Sequence, residues 1–459
     1  MDSPEDLTLP GPPEPPLAIP DRKAAWWCWP LVFFALIPFS WFTTTGPDVA
    51  EAELSENDDQ SDLALLKMQG QVVIATSFLN PVAARQALDE LGEANSNDYY
   101  VAALALLECF VQPDAPTSAT LLEQFSESVP RDLANVTGKA VTDGIDEADR
   151  DRLRSYLGWF ADLARGPGRS NPPLNESIRA RALIVLGAMS LMFTGAALAI
   201  LIGGLLLIVH LRQLSLGQSE NAFDPARKPQ GVLLECFAIY LGTMTAGSLL
   251  GAYLYEPISI ISYVAAVVVP LLWPFFRGIS WKDFSATVGL HRGKGWLREI
   301  RAGFVGYLVV LSIASIGICL TLLLTMIAAA FEDQGASAGI TQSGPEAHPI
   351  VGWIYGGTIW TRLACLVLAS GFAPLFEELF FRGALQRYFR GRYRFFGAAL
   401  LTGVIFAALH PQGFYAIPAL TAMGIGFSIL REWRDSLIAP IVAHAINNGV
   451  LVGMLWWML

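Results

Sequence analysis

The stretch LFEELFFRG, residues 375–383, places Glu377, Glu378 and Arg382 inside an otherwise apolar run. An ionisable group at membrane depth costs at least about 2.5 kcal/mol, and such groups usually mark function. The reading of the whole chain therefore turns on whether these three residues lie in a membrane. Of the 459 residues, 53% are hydrophobic and only 15% charged. Soluble domains carry about 25% charged residues, so this is the composition of a polytopic membrane protein. The net charge of −11 is unevenly spread, with seven acidic and no basic residues from Asp48 to Asp62 and arginine-rich loops later. That distribution gives no support to nucleic-acid binding. Of five cysteines only Cys109 lies in a polar region, so that region builds no disulfide of its own, and cysteine usage does not fix the compartment.

Outward from the opening stretch, apolar runs fall at about 182–209, 232–254, 258–276, 303–330, 350–376, 396–410, 414–430 and 436–459. An earlier run, AAWWCWPLVFFALIPFSWF (24–42), follows Arg22 and Lys23. Its bulky end lacks a small-residue cleavage site, which favours an uncleaved anchor over a signal peptide. Most runs approach the roughly 20 residues that span a bilayer, giving about nine crossings. The expected fold is all-α: a polytopic helical membrane protein with about nine transmembrane helices and a small extracytoplasmic helical domain. Residues 1–23 read as a disordered, Pro-rich cytoplasmic leader, 24–43 as the anchor, 44–180 as the helical domain and 181–459 as the polytopic membrane domain. In 44–180 apolar positions recur at helical spacing, among them Leu63, Leu66, Val73, Leu153, Leu157 and Phe160, and no fixed repeat period emerges. The plain reading of this domain is structural or partner-docking. The basic clusters at Arg22/Lys23, Arg212/Arg227/Lys228, Arg277–Arg301, Arg387–Arg394 and Arg431/Arg434 share one side under this count. The positive-inside rule puts them and the N-terminus in the cytoplasm, with 44–180 outside it. A bacterial plasma membrane is the expected location.

Two further ionisable residues lie in late apolar runs, His410 in FAALHP and His444 in VAHAINNG. The midpoint between residues 377 and 410 falls in GRYR (391–394), so helices on either side of that turn return Glu377 and His410 to similar depth. His444 sits ten residues beyond Arg434, about 15 Å along its helix. Three helices thus aim a carboxylate and two imidazoles at one intramembrane cavity. Glu378 and Arg382 are i and i+4 and meet on one helix face, while Glu377 is rotated about 100° from Glu378. This assigns Glu378 to Arg382 and leaves Glu377 free for the cavity. Phe406 and His410 are also i, i+4, as are His444 and Asn448, with Asn447 a substitute at i+3. A histidine and a carboxamide on one face can both donate to a developing oxyanion. A structural role competes for each residue alone, since a buried pair fixes helix register and a histidine can bond a neighbouring helix. The set taken together favours chemistry. His210, His291 and His348, at segment ends or in loops, are assigned no role.

The motifs FEELFFRG, FAALH and HAINN resemble EExxxR, FxxxH and HxxxN of the CPBP intramembrane proteases. That family includes type II CAAX prenyl endopeptidases and bacteriocin-processing or immunity proteins. The resemblance covers about residues 350–455, extends loosely back to about 230, and leaves 1–180 outside it. It implies an intramembrane endopeptidase acting on membrane-associated protein or peptide substrates. Glu377 and His410 would activate water, and His444 with Asn448 would stabilise the oxyanion. Glu378 and Arg382 would be the supporting pair, and Phe406 a packing residue. A metal-free mechanism is expected; zinc, if used, would sit on Glu377, His410 and His444. The alternative is a non-catalytic membrane scaffold or immunity protein that binds an extracytoplasmic partner through 44–180. Transport is a third reading, unsupported by paired, broken helices in matching halves.

Overall fold

The computed structural model describes residues 23–42, 51–92, 97–112, 122–126, 129–167, 175–218, 222–224, 231–253, 257–332, 350–410 and 416–459. The leader and the start of the acidic linker lie outside them. Every regular element among the described residues is helical. Helix α1 is Cys28–Phe42, α2 Glu51–Leu79, α3 Pro81–Gly92, α4 Asp98–Val111, α5 Arg131–Thr142 and α6 Glu147–Leu157. A 3-10 turn, Gly158–Leu163, follows. Then come α7 Asn175–Ser215, α8 Gly231–Tyr253, α9 Pro257–Phe276, α10 Trp281–Val288 and α11 Trp296–Glu332. Helix α12 is Ile350–Tyr355, α13 runs unbroken over Ile359–Arg390, and α14 Phe395–Ala408, α15 Ile417–Arg434 and α16 Ile438–Met458 complete the chain.

Five helices, α7, α8, α11, α13 and α16, are long and apolar enough to cross a bilayer, which makes this an integral membrane protein. Two of the other expected crossings are apolar but short, Ile261–Phe276 in α9 and Phe395–Ala408 in α14. The 14 residues of α14 rise about 21 Å, less than the roughly 30 Å of hydrocarbon. Helix α15 spends its last turn on Arg431, Glu432 and Arg434. Composition could not fix the number of full spans because these helices lean on neighbours rather than on lipid alone.

Close packing in the membrane half is made by glycine. A Cβ on Gly303 of α11 would lie 2.6 Å from Val442 of α16, and one on Gly306 would lie 2.4 Å from Leu430 of α15. In the same way Gly424 of α15 approaches Gly403 of α14, where an added Cβ would sit 2.9 Å from the facing Cα. Without a hydrophobic drive between helices in lipid, such close approach supplies the van der Waals contact that holds them.

The helical unit α2–α6 has its own apolar core, built on Leu66, Ile74, Leu106, Leu107, Leu133, Leu153 and Phe160. Three of its helices, α3, α4 and α6, start on side-chain caps: Asn80 accepts from Ala83 N, Asn97 from Tyr99 N and Asp146 from Asp149 N. Two helices tie this unit to the membrane half. Helix α7 contributes Ile178 and Ala182 to the unit's core and then continues as the longest apolar span. Helix α2 has two faces. Leu63, Leu66, Val73 and Ile74 face the unit's core, whereas Ala64 and Met68 pack with Val351 and Ile354 of α12 and Val452 of α16. On that second face Lys67 donates to the Leu459 carbonyl, and Gln71 to that of Met458 at 3.5 Å.

Candidate functional site

Pro374 shapes the helix that carries the opening stretch. Proline has no N–H, so one backbone carbonyl a turn earlier loses its donor. The chain answers with a π turn, Leu368–Phe372, in which Ala373 N–H bonds Leu368 O. The carbonyl of Ala369 is then deprived twice, since Ala373 is already engaged and Pro374 has nothing to give. Asn448, from α16, fills the place: its Nδ2 donates to Ala369 O at 2.9 Å. A second π segment, Glu378–Leu385, carries Glu378 and Arg382. Such segments inside α-helices occur often at functional sites.

Glu378 is fully buried and receives two donors on one oxygen. Arg382 Nη1 reaches Oε1 at 2.9 Å, and His444 Nδ1 reaches the same atom at 2.9 Å. A carboxylate only accepts, so the proton on this side of the imidazole belongs to Nδ1. The far nitrogen, Nε2, lies 3.7 Å from Glu377 Oε2. That Glu377 oxygen is enclosed and has no hydrogen-bond partner among the described residues, although the side chain is 24% exposed. The row Arg382–Glu378–His444–Glu377 therefore runs from a fully buried cation to a carboxylate whose side chain is partly exposed.

Aromatic rings fix the row in place. The Arg382 guanidinium lies 4.6 Å from the Phe406 ring centroid and 5.1 Å from that of Phe427, and His444 stacks on Phe427 at 4.7 Å. Arg382 Nη2 also donates to Gly424 O at 3.2 Å, at the point where Gly424 crosses Gly403. His410, just past the end of α14, packs its ring on Phe406 at 4.3 Å, and its Nδ1 is 2.7 Å from Phe406 O. Its interactions extend to both Glu377 and His444. Asn447 Nδ2 donates to Asn448 Oδ1 at 3.1 Å. All seven residues singled out in the sequence thus lie on α13, α14 and α16 or, for His410, just past the end of α14. Among the described residues no group of three His, Cys, Asp or Glu side chains is arranged to hold a metal ion. With both Nδ1 atoms engaged, each imidazole keeps its Nε2 for any further partner.

Several residues outside the three motifs were not foreseen. Tyr240 of α8 stacks on Phe380 at 4.2 Å, one turn past Glu377, and its surroundings include the Glu377 charge. Ser370 Oγ, on the first π turn, is enclosed without a partner among the described residues. Glu235, fully buried, accepts from Ala25 N at 3.0 Å and Trp273 Nε1 at 2.8 Å and pairs with Arg277, tying α8 to the segment before α1 and to the C-terminal end of α9. Glu299 takes both arms of Arg434, at 2.9 and 2.6 Å, and joins α11 to α15. For the two glutamates the signal was present, each being an acid beside or within an apolar run. Tyr240 and Ser370 carry no sequence signal of that kind.

Residues 359–450, which hold every one of these motif residues, match the family model of the type II CAAX prenyl endopeptidase Rce1-like proteins. The likeness to CPBP proteins read from the three motifs therefore holds over this segment. The membrane-embedded CAAX protease MroQ of Staphylococcus aureus is 33% identical over 93 residues, 19% of this chain and 37% of that protein. The putative membrane peptidase YdiL of Bacillus subtilis is 30% identical over 89 residues, 19% and 36% of the two chains. An uncharacterized 24.3 kDa protein of Escherichia coli is 34% identical over 101 residues, 21% and 45% of the two. The chain spans less than half the length of these curated relatives. No solved structure matches it significantly.

Proposed function

We propose that this protein is an intramembrane endopeptidase that hydrolyses peptide bonds of membrane-associated protein or peptide substrates. The observation that carries the reading is the enclosed Glu377 oxygen, without a hydrogen-bond partner among the described residues, 3.7 Å from an imidazole whose other nitrogen is anchored on Glu378, itself paired with Arg382. A base must be free to take a proton and must be held in place, and this arrangement meets both demands. Glu377, with His410 beside it, takes a proton from water, and the resulting hydroxide attacks the scissile carbonyl. The oxyanion that forms is met by the remaining N–H of Asn448 and by His444, once that ring carries the proton taken from water. The same proton then passes to the leaving amine. Metal-free catalysis is part of this proposal. The similarity to proteins named as a CAAX protease and a membrane peptidase supports the reaction class.

The test is Glu377→Gln, which keeps the shape and removes the base. Membranes carrying wild type should release cleaved membrane-protein fragments, mapped by their new N-termini, that membranes carrying the variant lack. The thermal melt should be unchanged. Equal cleavage by both overturns the assignment of Glu377.

The arrangement in the membrane is proposed with it: about nine crossings, a cytoplasmic N-terminus, a bacterial plasma membrane, and the 44–180 domain outside the cytoplasm, available to a partner there. A cysteine at Ser61 should react with an impermeant thiol reagent in intact cells, and one at Arg392 should not. The opposite pattern inverts the orientation.

A further inference from the structure

Of the described residues between 62 and 182, the large apolar side chains left exposed are Phe78, Leu79 and Val82, at 41%, 73% and 77%. They are not scattered. All three sit at the corner where α2 ends and α3 begins. The corner is rigid: Asn80 N bonds Thr76 O at 2.8 Å, the Asn80 side chain caps α3 through Ala83 N at 3.1 Å, and Pro81 is the first residue of α3. A small unit with a full apolar core has no packing reason to hold three such side chains out together.

Their position says what covers them. The Arg179 guanidinium lies 4.8 Å from the centroid of the Phe78 ring. Arg179 is in the first turns of α7, which still feeds Ile178 and Ala182 into the unit's core. On the opposite face of that helix, Leu183 and Ile184 are already exposed, and from there the apolar surface of α7 continues along its span with almost no protein over it. Lipid is what faces that surface in an integral membrane protein. Residue 183 lies one turn from Arg179, about 6 Å, within the roughly 5–10 Å to which apolar side chains sink into the headgroup boundary. An arginine at this level keeps its charge among headgroups while its stem lies along apolar surface.

We propose that the α2–α3 corner is a membrane-contact site, with Leu79 and Val82 seated in the lipid headgroup boundary beside the entry of α7. It fastens the helical unit to the bilayer surface at a third point, in addition to α7 and the α2–α16 contact. The proposal depends on the membrane embedding of α7 and not on the catalytic reading. Either orientation of the chain accommodates it.

The experiment uses the full chain in nanodiscs of mixed phosphatidylcholine and phosphatidylglycerol, in a Cys319→Ser background that removes the exposed native thiol. A nitroxide is attached in turn at Leu79→Cys, Val82→Cys and, as the control on the exposed side of α3, Asp89→Cys. Collision with oxygen, which partitions into lipid, is compared with collision with a water-soluble nickel chelate. Oxygen should dominate several-fold at 79 and 82, and the chelate at 89. Chelate dominance at all three positions overturns the proposal by placing the corner in water. Shielding from both reagents at 79 and 82 also overturns it, because protein rather than lipid would then cover the corner.

Discussion

Arg154 in the helical unit and Arg382 in the membrane half each pair with a carboxylate one helical step away, and the two pairs behave as different objects. Arg154 binds Asp151 and, at 2.7 Å, Asp162, with its own side chain 41% exposed. Arg382 binds Glu378 at 2.9 Å with both side chains fully buried. Water screens the first and leaves it worth about 0–1 kcal/mol. The second has no water to fall back on, so its value lies in what happens when one partner is removed. Arg150 shows a third solution inside the unit: though buried, it donates to the carbonyls of Ala161 and Ala164 at 2.9 and 3.0 Å and closes the 3-10 turn. The unit uses Arg150 and Arg154 to finish helix ends and surfaces, whereas the buried Glu378–Arg382 pair holds one imidazole in one orientation.

The largest effect expected from this difference is at Glu378. Glu378→Ala strands Arg382 and frees His444 Nδ1 in one step, and breaking a buried pair costs about 3–5 kcal/mol. Against a typical total stability of about 5–15 kcal/mol, folded protein should largely disappear from detergent extracts. A variant that melts like wild type and is merely inactive would exchange the roles of Glu377 and Glu378. Asn448→Ala comes next. As an oxyanion donor it should lower kcat by about 10²–10³-fold while KM changes little. Because Asn448 also holds the carbonyl of Ala369, amide exchange at residues 368–373 should rise in the same variant. Faster exchange with normal turnover would confine Asn448 to the backbone and break its assignment to the reaction.

The comparison also explains what was legible beforehand. The charges at 377, 378, 382, 410 and 444 were visible because each interrupts an apolar run, where an ionisable group is costly. The Glu378–Arg382 pair followed from i, i+4 spacing on a single helix. The bond from His444 to Glu378 did not, because it depends on how α13 and α16 are rotated against each other. The π turn at 368–372 was hidden as well: Pro374 signals a lost hydrogen bond, and only the facing Asn448 shows how the loss is made good. Five spans stand out among the described residues by length and apolar composition, whereas α14 is apolar over only 14 residues. In the helical unit the periodicity of Leu63, Leu66 and Val73 marked the core, but the second face of α2 went unread. Ala64, Lys67 and Met68 look unremarkable until the ends of α12 and α16 lie beneath them.

The smallest effect expected is at Arg154, and it tests the other side of the comparison. The hydrogen bond with Asp162, together with the nearby Asp151 and Glu147 charges, raises this guanidinium above its usual range. A side chain this exposed still gains little, because each charge keeps most of its water and a long chain must be ordered to make the contact. Arg154→Ala should therefore lower stability by less than about 1 kcal/mol, and by less again at high salt, where screening weakens exposed pairs further. The measurement is the thermal melt of wild type and variant at about 0.05 and 1 M salt, ionic strengths at which the screening length falls from well above to near contact distance. A loss of about 3 kcal/mol that salt does not reduce would mean that Asp162 anchors the Gly158–Leu163 turn on α6 as firmly as Glu378 anchors His444. The distinction between the two regions would then have to be drawn from connectivity rather than from burial.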